Sequence, residues 1–185
     1  MSKKVLVPIA DGSEEIETAC IVDVLRRADT AVTVASVGNL QVTGSRGMRF
    51  VADQLLSECV NDTYDLIVLP GGMPGAEHLR DSKELAELLK RQQQDKKLYA
   101  AICASPVVVF QYHGLLGDRK ATAYPSFTGS LRNAEAVDAR VVVDGNCITS
   151  RAPGTAIEFS LTLVEMLYGG GQKAKEVAQS MLVDW

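Results

Sequence analysis

The sequence has 185 residues, 46% of them apolar and 23% charged, with a net charge of −4. That is enough for one domain, residues 1–185, with a hydrophobic core of its own. The acidic balance offers nothing for nucleic acid or an anionic membrane to bind, and no apolar run approaches the ~20 residues of a membrane-spanning helix.

The opening apolar run is too short for a signal peptide and leads directly into Asp11, Glu14, Glu15 and Glu17. Cys20, Cys59, Cys103 and Cys147 are scattered, with no Cys-x-x-Cys pair and no histidine nearby. This spacing predicts neither a metal site nor a disulfide framework, and points to a reducing, cytoplasmic setting.

Val5 to Ile9 reads as a buried strand, followed by Asp11-Gly12-Ser13, in which Asp11 or Ser13 is expected to cap a helix reaching about Ala28. On a helical wheel Cys20, Ile21, Val24, Leu25 and Ala28 share one side, and Glu17 lies in the middle of that stripe. Glu15, Asp23 and Arg26 are expected on the opposite side. A carboxyl group on a buried face either takes up a proton or finds a donor. Near the helix start it also has the alternative of reaching solvent or an arginine.

Ala31 to Ser36 is a second strand, and Gln41–Thr43 with Met48–Val51 forms a small hairpin around Gly44-Ser45-Arg46-Gly47. Tyr64 to Leu69 is a third core strand, ending in Pro70-Gly71-Gly72-Met73-Pro74-Gly75. Glycines in such a loop let backbone amides approach an anion, although a Gly-Gly pair is as often only a tight turn. A helix from Ser82 to about Gln94 follows. Further on, Ala121–Ala123 is expected as a short strand, and Asp144-Gly145-Asn146 joins Val141–Val143 to Cys147–Ser150 as a hairpin. Two helices close the chain, one to about Tyr168 and one over Gln172–Met181. Strands alternating with helices predict a mostly parallel sheet with helices on both faces and a hairpin at the side.

The most informative stretch is Leu98 to Pro106. A short apolar strand ends at Cys103, and Ser105-Pro106 reads as a helix cap and first turn, so the cysteine sits on a sharp strand-to-helix bend. A helix start beside it favours thiolate. The elbow alone leaves open whether Cys103 is a nucleophile or a small buried residue. The loops after Ile9, Leu69 and Ile102 all open at the carboxyl ends of parallel strands, where such folds place their chemistry. They bring Glu17, Gly71-Gly72 and Cys103 to one place.

Four segments then carry a resemblance: Asp-Gly-Ser-Glu-Glu-Ile-Glu17-Thr, Tyr-Asp-Leu-Ile-Val-Leu-Pro-Gly-Gly72, Ala-Ala-Ile-Cys103-Ala-Ser-Pro and Thr-Ser-Arg-Ala-Pro-Gly154-Thr. In order and spacing the chain resembles the ThiJ/PfpI superfamily, in the branch of the parkinsonism-associated protein deglycase, from Val5 to about Met181. The resemblance implies a flavodoxin-like three-layer α/β/α sandwich, a homodimer, and no metal or organic cofactor. It gives Cys103 the role of nucleophile and oxidation-sensitive thiol, and Glu17 that of a protonated acid bonded to the sulfur. The amides of Gly72 and Ala104 become an oxyanion hole, and Gly71, Tyr124, Arg46 and Pro153 line the pocket. Arg46 has the alternative of a plain surface charge at a hairpin tip.

Two positions depart from the family pattern. Ala104 stands where protease-like members have histidine, and Tyr124 where many members of this branch do. His113 is expected outside the site, and so is His78, although its place after the glycine loop gives it the alternative of leaning toward the site. Without a Cys-His pair, amide hydrolysis lacks its usual base, so peptidase activity is not expected. The expected reaction is of the glyoxalase or deglycase type, converting a small aldehyde, methylglyoxal or glyoxal, or its adduct on an amine or thiol, to lactate or glycolate. The alternative is a redox-sensing protective protein with little turnover. Thiazole-phosphate synthesis, another label in the superfamily, finds no phosphate-binding loop here.

Overall fold

The computed structural model describes residues 2–185. In chain order the elements are β1 (Lys4–Ile9), α1 (Glu15–Arg27), β2 (Ala31–Ser36), β3 (Gln41–Thr43), β4 (Arg49–Val51), β5 (Gln54–Leu55) and β6 (Leu66–Leu69). They continue with α2 (Gly75–Asp81), α3 (Lys83–Gln94), β7 (Leu98–Ile102), a π-helical turn (Pro106–Gln111) and α4 (Pro125–Thr128). β8 (Val141–Asp144), β9 (Cys147–Ser150), α5 (Ala156–Tyr168) and α6 (Gly171–Ser180) complete the chain.

Seven strands form one sheet in the order β5-β2-β1-β6-β7-β9-β8, parallel except where β8 runs against β9. β3 and β4 pair separately as an antiparallel hairpin. Alternating side chains send the sheet's apolar groups into two cores. Val5, Val7, Ile9, Val68 and Ile102 meet Ile21, Leu25, Phe159 and Leu163 of α1 and α5 on one face. Leu6, Ile67, Leu69 and Tyr99 meet Leu79, Leu85, Leu89 and Phe110 on the other. This is the flavodoxin-like α/β/α sandwich. No helix among the described residues is long and apolar enough to cross a membrane.

The structure corrects several local expectations. α1 is capped by Glu14, whose side chain accepts from the Glu17 amide. Asp11 instead accepts from the Thr43 amide, and the Ser13 hydroxyl accepts from the Ala10 amide. Ala121–Ala123 is not a strand, because the Thr122 amide donates to the side chain of Thr149 rather than to a neighbouring backbone. β5 and α2 are further elements of the fold, and neither carries a periodic apolar signal in the sequence.

Glu15 is buried rather than solvent-facing. Its carboxylate accepts from the Arg46 and Met48 amides and the Ser45 hydroxyl, docking the β3–β4 turn on α1. These donors hold its pKa down, against the upward pull of burial.

Candidate active site

Three loops meet at the carboxyl ends of β1, β6 and β7, and glycine makes their contact possible. A Cβ on Gly71 would lie 2.6 Å from the Cβ of Cys103, and one on Gly72 would lie 2.4 Å from the carbonyl oxygen of Gly12. Gly72 also has φ +88°, which only glycine adopts readily. The backbone of the glycine loop therefore rests directly on the cysteine and on the β1–α1 connection.

Cys103 has φ +67°, a left-handed conformation that costs a non-glycine residue roughly 1–2 kcal/mol. The bend is fixed from two sides, since the Cys103 amide donates to the Ser150 carbonyl and its carbonyl accepts from the Tyr124 amide. Ser105 does not cap the following turn. Its backbone is already helical, and its hydroxyl donates to the Pro70 carbonyl at 2.6 Å.

Glu17 is 0% exposed, as its place on the apolar stripe of α1 requires. Oε2 accepts from the Gly71 amide at 2.8 Å, while Oε1 is buried without a well-aligned partner. Its neighbour is the Cys103 sulfur, and burial moves both groups. The Glu17 carboxyl is raised to about 7, with the Gly71 amide and the Cys103 thiol opposing the rise. The Cys103 thiol is pushed up to about 12, first by burial and then by the Glu17 charge; the Gly72 and Ala104 amides pull the other way. The expectation that the helix start makes Cys103 a ready thiolate therefore fails. Cys103 is 9% exposed, and loss of hydration beside a carboxylate outweighs two backbone donors.

Glu17, Gly71, Gly72, Cys103 and Ala104 thus lie together. Tyr124 adjoins them through its backbone bond to Cys103, with its ring exposed. Pro153 is half-buried at the start of the turn after β9, and Arg46 is exposed at the β3–β4 turn. His78 binds the Asp11 carbonyl and His113 the Arg80 carbonyl, neither toward the sulfur. Five surface clefts, one of about 530 Å³ between the loops after β1 and β2 and the α2–α3 junction, do not include Cys103. Among the described residues no group of three or more histidine, cysteine or acidic side chains comes together to hold a metal. Sequence reasoning missed Ser105, Ser150 and Gly12 as parts of the site, because their partners are distant in the chain.

Fold and site define an α/β protein with a cysteine on a strained strand-to-helix elbow, backed by a buried glutamate and the amides of a glycine loop. The chain belongs to the DJ-1/PfpI family, whose profile matches residues 3–166. It is 51% identical over 181 residues to "Protein DJ-1 homolog B" of Arabidopsis thaliana, covering 97% of this chain and 41% of that protein. The chain thus spans less than half the length of that relative. It is 37% identical over 169 residues to "Glutathione-independent glyoxalase DJR-1.2" of Caenorhabditis elegans, covering 91% of this chain and 89% of that one. A structure described as "Toxoplasma gondii DJ-1, oxidized" superposes with a TM-score of 0.97 at 49% identity, covering 100% of both chains.

Proposed function

We propose that the chain is a cofactor-free, cysteine-dependent enzyme that converts a small reactive carbonyl, methylglyoxal or glyoxal, to lactate or glycolate. The observation that carries this reading is the buried Glu17 beside Cys103, with the Gly72 and Ala104 amides acting on the same sulfur. Similarity to a glutathione-independent glyoxalase supports it.

The Glu17 carboxylate accepts the thiol proton as sulfur bonds to the aldehyde carbon, and the new oxyanion is held by the two amides. Glu17 passes the thiol proton to that oxyanion and, again a carboxylate, takes the proton of the same carbon and delivers it to the adjacent one. The hydroxyl proton passes to the former ketone oxygen, leaving the lactyl thioester of Cys103. Water then cleaves the C–S bond, releasing lactate and restoring the thiol. A carboxyl pKa near neutrality suits both proton transfers. Cys103→Ala is expected to abolish D-lactate formation from methylglyoxal, and Glu17→Gln to lower it at least a hundredfold. Turnover by Cys103→Ala at the wild-type rate would overturn the reading. The protein acts in the cytoplasm as a homodimer, with the exposed face of α1 as its contact.

A second reading is redox sensing, favoured by similarity to a structure described as oxidized. In it peroxide oxidises Cys103 to sulfenic and then sulfinic acid, each step reducing one peroxide to water. Mass spectrometry after mild peroxide tests it. Gain of two oxygens at Cys103, with negligible carbonyl turnover, would favour sensing over catalysis.

A further inference from the structure

The two amides that act on the Cys103 sulfur come from different loops: Ala104 from the elbow, Gly72 from the glycine loop after β6. A hole built from two loops works only if their separation is fixed, since donors must be held within a fraction of an ångström of the developing charge. The ladder between β6 and β7 ends at the Leu69–Ala101 pair, before either amide. Past that point the glycine loop is tied to α1, with the Gly71 amide donating to Glu17 and the Gly71 carbonyl accepting from the Glu14 amide. Neither bond reaches the elbow.

We propose that Ser105 is a positioning residue, whose hydroxyl bond to the Pro70 carbonyl sets the spacing between the Gly72 and Ala104 amides. The bond is 2.6 Å long and joins the residue after Ala104 to the residue before Gly71. Ser105 is fully buried, so water does not compete for the hydroxyl. The contact between Gly71 and Cys103 prevents the loop from moving closer, and the Ser105 bond prevents it from moving away. Glu17 holds Gly71 from the opposite side, so the loop is clamped between α1 and the elbow. Serine at this position is an orientation device, not a helix cap.

This assignment rests on the carbonyl-enzyme reading for its kinetic consequence, but not for its chemical one. Two readouts are therefore needed in Ser105→Ala and Ser105→Thr: steady-state turnover of methylglyoxal, and the rate of Cys103 alkylation by iodoacetamide against pH. Losing the hydroxyl lets the Gly72 amide drift, which weakens support for the oxyanion and for the thiolate together. Ser105→Ala is expected to lower kcat ten- to a hundredfold with KM within threefold of wild type, and to slow Cys103 alkylation at least threefold at every pH between 7 and 10. Ser105→Thr, which keeps the hydroxyl, is expected to stay within threefold of wild type in both.

A wild-type protein without turnover would sink the enzymatic reading, and the alkylation profile would still decide the role of Ser105. A Ser105→Ala protein with lower melting temperature but unchanged kcat and alkylation profile would overturn the proposal. So would a well-folded Ser105→Thr protein that had lost both properties, and that test stands even if Ser105→Ala fails to fold.

Discussion

Cys103 and Glu17 illustrate how burial, together with their effect on each other, turns two ordinary side chains into a reactive pair. Both pKa values move upward, so at neutral pH the thiol keeps its proton while Glu17 is close to its midpoint. Below about pH 7 the carboxyl is protonated and cannot take the thiol proton; above it the base is available. The kcat/KM for methylglyoxal is therefore expected to rise through about pH 7, and that limb should vanish from the residual activity of Glu17→Gln. Stability runs in the opposite sense. A carboxyl raised from 4.5 to about 7 contributes stability that is complete below pH 4.5 and lost as pH rises through 7. At about 1.36 kcal/mol per pKa unit the loss is roughly 3 kcal/mol. Denaturation midpoints between pH 4.5 and 8 should fall more steeply for wild type than for Glu17→Gln. Gly71→Ala sets a methyl group against Cys103, and is expected to destabilise the fold by about 2 kcal/mol or more, measured by urea unfolding.

At the level of elements, the turn of the β3–β4 hairpin is docked by polar contacts around the Glu15 carboxylate. Glu15→Ala would leave the Arg46 and Met48 amides and the Ser45 hydroxyl without their partner. Accelerated hydrogen exchange at those two amides, with a stability loss of about 2–3 kcal/mol, is the expected outcome. This docking was not legible in the sequence, because a wheel drawn for α1 alone cannot anticipate donors arriving from Ser45, Arg46 and Met48. The same wheel did reveal Glu17, whose neighbours on α1 are themselves buried. β1, β2 and β7 were readable as apolar runs bounded by turn residues. By contrast, β5 has only two residues, and α2 starts inside the glycine loop with little more than Ala76 and Leu79 turned inward. The convergence of Glu17, the glycine loop and Cys103 followed from topology, whereas the roles of Ser105 and Ser150 depend on contacts across the chain that no local pattern encodes.

For the whole molecule, the two cores lie on opposite faces of one sheet, and the outer surface of α1 remains uncovered. Ile16 is 54% exposed and Val51 74%, beside a groove of about 280 Å³ lined by Ala19, Val22 and Phe50. The proposed dimer predicts sedimentation as a two-chain species at micromolar concentration, and a shift toward single chains in Ile16→Asp or Val51→Lys. The hydrogen bond from Cys103 to Ser150 has a further consequence for biosynthesis. Ribosomes deliver the cysteine long before the strand that accepts its amide proton. Until β9 emerges, the nascent polypeptide lacks the carbonyl that helps hold the elbow. Its sulfur should meet cellular electrophiles as an unremarkable thiol, acquiring its distinctive reactivity only once synthesis has passed Ser150.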